Sequence, residues 1–447
     1  MKKHSPKTKQ TPCRVTTDQV VEQFRGGVQT RYGGAGLWRR FLSKLHMYRL
    51  LCEVRVPWHG RCFGTADYLF GMLAALLLGE QRQSAVAQLG EDPGALRALQ
   101  LEDMPSQSAL SRFLGACTRK VAGQLLELNG ELVRRIRGKC LCATIDMDGQ
   151  VVTTRGNPEG ANYGYNPKRR GSKSYFLMMS FWGELRDILG AWMYPGNKAT
   201  ISTRAAIRTY ERARKTLPAG VRRVRLRADA AFFSEGFACY LEREDVTYCI
   251  PLRVGDGVKP MLPGLPYRPL DDNYAIADTP YQAPGWKQPR RLVVVRQRLA
   301  PENPEKKAQA LKLFQCDGYA FTVHVTNATW GAEYVWRFYN DRSCLENIIK
   351  ESQYDFGSNH VLSQAHGGNV TWLALSILAY NITNWFRERV LQQRAHRNTA
   401  RTLRRLLIEI PGRLIHHAGQ YEMVLWRDHP SRTLFERAVV ALETLTV

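Results

Sequence analysis

The sequence predicts an α/β protein in which a mixed β-sheet is flanked by helices, interrupted by a β-rich insertion and preceded by a helical N-terminal region. Three observations carry this expectation. Between Asp67 and Gly138 apolar residues recur every three or four positions, ending in the stripe Val121, Leu125, Leu128, Leu132 and Ile136, which is the period of packed helices. At Cys140 the period drops to two, so that Leu141–Asp148 reads as a strand with Val151–Arg155 as its hairpin partner across Gly149. Residues 251–306 then break into short β runs such as Arg291–Arg296 among prolines and glycines, a pattern that fits an inserted subdomain rather than a continuation of the sheet.

Composition narrows the function classes. The chain has 447 residues, 44% of them hydrophobic, and carries a formal charge of +24. That is enough apolar material for real cores, which excludes a wholly disordered protein, and the basic excess calls for a polyanionic partner. The longest apolar runs, Tyr68–Gly79 and Val370–Phe386, fall short of the ~20 residues a bilayer span needs. The start, Met1–Cys13, lacks the apolar segment of a secretory signal, so the chain is expected to be cytoplasmic and without a membrane partner. Ten cysteines are scattered along the chain, which suits buried reduced thiols. The close pair Cys140 and Cys142 lacks the second pair a zinc site requires.

The elements fall in order. Residues 1–60 form a basic arm, with twelve Lys and Arg against three acids up to residue 56. Residues 61–138 form a helical, helix-turn-helix-like DNA-binding region: short helices, the Gly90–Gly94 break, then a helix capped by Ser106 that presents Ser106, Gln107 and Arg112 as recognition-helix residues would be. Residues 139–250 hold the first part of the sheet, including strands Ser174–Phe181, Ile188–Tyr194 and Arg222–Asp229 and the helix Ser202–Leu217. The β-rich insertion covers 251–318. Residues 319–395 return to the sheet with the strand Tyr319–Val325 and add the patterned helix Trp336–Tyr354 and the apolar helix Val370–Val390. Residues 396–447 read as a basic, mostly helical end.

Alternation along a strand puts Asp146 and Asp148 on one face, and Arg225, Arg227 and Asp229 on one face of theirs. Each strand taken alone reads equally well as an edge or turn acid. Arg342, Glu346 and Lys350 line a helix face at four-residue spacing, with Tyr339 one turn earlier, a pattern shared with ordinary ion-pair ladders. Two strand aspartates and a helix glutamate in a strongly basic chain make a distinctive combination.

At these residues the chain resembles a known family. Tyr339-x-x-Arg342-x-x-x-Glu346, continued by Lys350, is similar to the glutamate helix of DDE-class insertion-sequence transposases. The stretch Gly156 to Lys168, followed by Gly171 and Ser174-Tyr175, is similar to the segment after the first aspartate in the transposase DDE domain group 1 family. Arg227-Ala228-Asp229 matches its second-aspartate strand, and Pro105 to Arg112 its N-terminal helical region.

The resemblance implies an RNase H-like catalytic fold in which two aspartates and a glutamate bind two divalent metals. It selects Asp148, Asp229 and Glu346 as the catalytic, metal-binding residues. Asp146 stays open for the first position, because Gly149-Gln150 stands where the family commonly shows Ser/Asp-Thr. Two Mg²⁺ ions, with Mn²⁺ as a substitute, suit such hard oxygen ligands. The implied activity is cut-and-paste transposition of an insertion sequence on double-stranded DNA, both transposon ends and target, by a homodimer in the synaptic complex, in the bacterial nucleoid. Tyr339, Arg342 and Lys350 are expected at DNA phosphates, and Lys168, Arg169, Arg170 and Lys173 form a basic loop for the DNA backbone. Trp286 and Trp330 read as core residues rather than base-stacking ones. The competing readings are a non-catalytic DNA-binding descendant and an RNase H-like nuclease or resolvase.

Overall fold

The computed structural model of the protein describes residues 27–446 apart from 61, 139, 168, 199–200, 300–312 and 393–397. Residues 1–26 of the expected basic arm, and Lys168, therefore lie outside the described residues. The part of the arm that is described is folded: strand β1 (Val28–Thr30), helix α1 (Gly36–Lys44) and helix α2 (Met47–Cys52). Leu37, Trp38, Phe41 and Leu42 are buried on α1, and the Trp38 ring lies 4.7 Å from that of Phe386. The expectation of an electrostatic arm up to residue 60 is thus corrected, because its apolar residues recur at helical spacing and fill the core while its cations take the opposite face.

The helical region follows as α3 (Thr65–Leu78), α4 (Gln83–Gln88), α5 (Pro93–Leu99), α6 (Gln107–Ala116) and α7 (Arg119–Arg137). Ser106 caps α6, its hydroxyl accepting from the Ala109 amide at 3.4 Å. The expected stripe of α7 is buried.

The large sheet contains β2 (Cys142–Thr153), β3 (Asn162–Tyr163), β4 (Lys173–Trp182), β5 (Asp187–Pro195), β6 (Arg223–Ala228) and β7 (Thr247–Pro251), with helix α8 (Thr203–Thr216) before β6 and α9 (Glu235–Arg243) before β7. Within it, β5, β4, β2, β6 and β7 lie side by side. β4 is antiparallel to β2, and β6 and β7 run parallel to it. This is the mixed, helix-flanked, RNase H-like sheet that the resemblance implies.

β2 has no hairpin at Gly149, contrary to the sequence expectation, and pairs with β4 without interruption from Ile145 to Thr153. The glycine serves close approach instead: a Cβ there would sit 2.6 Å from the Phe176 ring. The strands of the β-rich segment, β8 (Arg268–Pro269), β9 (Tyr274–Tyr281) and β10 (Arg290–Arg298), also differ from expectation. They extend the same sheet through β12 (Tyr319–Thr326), on which β11 (Phe314–Cys316) also pairs. The physical reason is the run Leu292–Val295, which is buried on both faces, as a strand inside a covered sheet must be.

The expected single helix Trp336–Tyr354 is two, α10 (Ala332–Asn340) and α11 (Cys344–Phe356), joined by the 3₁₀ turn Asp341–Ser343. The apolar helix α12 (His366–Arg389) runs through the core and packs on α3, α6 and α7. Gly367 and Gly368 let it meet the end of α6, since a Cβ at either would strike the carbonyl of Cys117 or Leu114. After the short α13 (Ala400–Leu403), the chain end is less helical than expected: β13 (Gly412–His417) and β14 (Gln420–Leu425) form a hairpin that pairs with β1 before α14 (Arg432–Thr444). Its two-residue turn, Ala418-Gly419, has positive φ at both positions, the geometry that matches strand twist.

Candidate active site at the ends of two parallel strands

The register of two parallel strands builds the centre of the site. Asp146 is paired with Arg227 and Met147 with Ala228, so the next residues, Asp148 on β2 and Asp229 just beyond β6, lie alongside each other. Neighbouring strands are ~4.8 Å apart. The Asp229 carboxylate is exposed and accepts from the Ala230 amide at 2.6 Å, capping a short 3₁₀ turn. Burial pushes the Asp148 carboxyl above the usual range, and the negative charge of Asp229 pushes the same way. Arg342 opposes both, with a smaller contribution from a hydrogen bond to Gln150.

Arg342 enters this centre from the turn between α10 and α11. Its guanidinium donates to Asp148 Oδ1 at 2.6 Å and to the Met147 carbonyl at 2.9 Å. The expected ladder Arg342–Glu346–Lys350 is therefore only half formed, because the 3₁₀ turn winds more tightly than an α-helix and directs Arg342 to β2. Glu346 lies in the first turn of α11 with its side chain 76% exposed, and Lys350 Nζ stands 3.6 Å from its carboxylate. Seven residues on, two helical turns further along the same face, Gln353 donates to Gln150 of β2. Glu346 thus sits on α11 between two contacts with the Asp148 strand, though it makes no contact itself with either aspartate among those described. Tyr339 stands beside the aspartates with its ring 4.6 Å from that of His324, and burial raises its hydroxyl to about 12.

Asp146 occupies a different environment. It is fully buried and receives both Nε (2.7 Å) and Nη2 (2.8 Å) of Arg227, whose Nη1 donates to the Phe338 carbonyl. This fork ties β2, β6 and α10 together. Burial raises the Asp146 carboxyl and Arg227 opposes the rise. Arg227 and Arg225 both lie over the Phe338 ring, as strand alternation requires.

The remaining expected residues are spread over the surface. Ser106, Gln107 and Arg112 are exposed at the start of α6, and Arg169 and Arg170 are exposed between β3 and β4. Lys173 lies over the Tyr163 ring at 5.5 Å. Trp286 packs on Phe233 and Tyr281, and Trp330 on Tyr334 and Phe338, in keeping with a packing role. Gln353 and His324 escaped the sequence reading, and Gln150 entered it only as a departure from the family pattern. Gln150 alone had a signal, since it continues the alternation Asp146, Asp148 along β2.

Among the described residues no three His, Cys, Asp or Glu side chains are grouped closely enough to hold a metal ion. What is present is a pair of hard oxygen donors whose mutual repulsion favours a cation between them, the donor chemistry that Mg²⁺ prefers. Among the described residues no helix is long and apolar enough to cross a membrane.

A sheet of this order with acids at adjacent parallel strand ends belongs to the RNase H-like class. The chain belongs to the transposase DDE domain group 1 family, whose sequence model matches residues 13–447. A search of curated proteins finds no match. Among solved structures, the cryo-EM structure of the piggyBac transposase synaptic complex with hairpin DNA aligns over 85% of this chain and 81% of its own at 11% identity and a TM-score of 0.49. The Mos1 strand transfer complex aligns over 44% and 61% at 16% identity and a TM-score of 0.18.

Proposed function

We propose that the protein is a Mg²⁺-dependent cut-and-paste transposase that acts, in the bacterial nucleoid, on the double-stranded ends of its own insertion sequence. Asp148, Asp229 and Glu346 are its metal-binding carboxylates. The observation that carries this reading is the apposition of Asp148 and Asp229 across parallel strands, with Glu346 held on the helix that spans the Asp148 strand. Asp146 is assigned a structural role, because both of its oxygens are committed to Arg227 in the interior.

Two bound Mg²⁺ ions supply polarisation of the attacking oxygen and neutralisation of the leaving one. The chain's own residues do the rest. Asp148 and Asp229 fix the place where phosphodiester chemistry occurs, and Glu346 completes the donor set by turning from Lys350. Arg342 and Lys350, once their carboxylates are engaged, present cations to phosphates on either side of the scissile bond, and Tyr339 orients the same backbone. Water cuts at the transposon end, and the freed 3′-hydroxyl then attacks target DNA. The exposed cations Arg169, Arg170 and Lys173, and Ser106, Gln107 and Arg112 on α6, hold flanking duplex. Two copies of the chain bring two ends together.

The test is to incubate the purified full chain with its own flanked element ends and Mg²⁺ and to map nicked and joined strands. Asp229→Ala and Glu346→Ala are expected to abolish cleavage while retaining end binding, and that binding should weaken steeply with salt. Wild-type cleavage by either variant would remove the assignment.

A further inference from the structure

Where β3 meets β4 at the sheet edge, an open cavity of about 580 Å³ is lined by Arg155, Asn157, Tyr163, Arg169, Ser172 and Lys173, with no acidic residue lining it among the described residues. Its volume lies within the range of small-ligand sites. Three cations, hydrogen-bonding side chains and one aromatic wall are the chemistry that recognises a planar group bearing a phosphate.

The walls are held in place. Tyr163 pairs in register with Lys173, whose ammonium lies over its ring, yet the Tyr163 side chain is still 60% exposed. The buried Asn166 side chain donates to Thr153 at 2.9 Å and accepts from the Arg169 amide at 3.1 Å, pinning the loop that carries Arg169. Gly156 and Gly171 take positive φ with open space where a Cβ would be, which keeps the mouth clear.

We propose that this cavity binds one unstacked nucleotide of a DNA strand, its base on Tyr163 and its phosphate between Arg155 and Arg169. The assignment rests on the transposase reading for the source of that strand. It deepens that reading by naming a single-stranded or locally melted segment as part of the substrate. Position makes the proposal specific. Lys173 lies on the same strand as Met179, the register partner of Asp148, six residues away or ~20 Å at strand rise. The captured nucleotide therefore lies ~20 Å along the sheet from Asp148.

The experiment uses the full chain and an oligodeoxythymidine carrying 5-bromodeoxyuridine. Irradiation is expected to crosslink the brominated base to Tyr163, identified by mass spectrometry. Tyr163→Ala should weaken binding about tenfold, as loss of one base stack does, with an unchanged salt slope, and Tyr163→Phe should bind as wild type. An Arg155→Ala/Arg169→Ala variant should instead flatten the salt slope. Crosslinks confined to regions outside residues 154–173, or wild-type affinity in Tyr163→Ala, would overturn the proposal. End cleavage without a Tyr163 crosslink sinks this site alone, whereas a crosslink in a chain that does not cleave its ends leaves the site and sinks the transposase reading.

Discussion

The guanidinium of Arg342 lies 2.6 Å from the carboxylate of Asp148, on the strand position that stands beside Asp229. A cation of the protein thus occupies one oxygen of the carboxylate that we propose as a metal ligand. The same side chain is freed for a phosphate if that oxygen is claimed.

Competition between the two cations is measurable. Arg342→Gln is expected to lower metal-free stability by about 2 kcal/mol through the lost charged hydrogen bonds. It should also enlarge the rise in Tm produced by Mg²⁺ and slow end cleavage. Thermal unfolding with and without Mg²⁺ checks it, and an equal Mg²⁺ shift in wild type and variant would show that Arg342 does not compete.

Asp146 and Asp148 should separate by stability. Asp146→Ala leaves the Arg227 guanidinium buried without its anion and is expected to cost about 3–5 kcal/mol. Asp148→Ala leaves the largely buried Arg342 guanidinium without its anion and is expected to cost about 2 kcal/mol, less than Asp146→Ala, while abolishing cleavage. Replacing the pair together, as Asp146→Leu with Arg227→Met, should recover most of the stability. Denaturant unfolding of the three variants decides the matter.

His324 should make the fold acid-sensitive. Burial lowers its imidazole from 6.5 to about 4, and its Nδ1 has no hydrogen-bond partner among the described residues. The unfolded chain therefore takes up a proton on this side chain before the folded one does, so stability falls as pH drops from about 6.5 to 4, by roughly 3 kcal/mol at full protonation. His324→Phe should remove that share of the pH dependence, and unfolding curves of both proteins across this window test it.

Gly149→Ala should destabilise by about 1–3 kcal/mol, the usual cost of overpacking, because the added methyl meets the Phe176 ring at 2.6 Å. Phe176→Leu in the same chain should restore much of the loss. A neutral Gly149→Ala would mean that the ring swings clear without cost.

Much of the site was legible because its signals are local. Period-two alternation placed Asp146 and Asp148 on one face of β2, and the spacing from Tyr339 through Glu346 pointed to helical structure there, which the 3₁₀ turn Asp341–Ser343 divides into α10 and α11. The misreadings share one cause. Gly149 was taken for a turn and Leu292–Val295 for part of a separate subdomain because a glycine or an apolar run has the same local appearance in a turn, an insertion or a covered strand. The contacts that distinguish these come from Phe176 and from the flanking layers.

By itself, the sequence determined the alternation of elements, the basic surplus and the motif spacing that nominates three carboxylates. The tertiary structure alone decided that Asp146 is the interior partner of Arg227, that Asp148 stands beside Asp229, and that Arg342 turns to β2 instead of to Glu346. Periodicity records which side of its own element a residue faces. Register and burial arise between residues about eighty positions apart, as Asp146 and Arg227 are, and they exist only once the strands have paired.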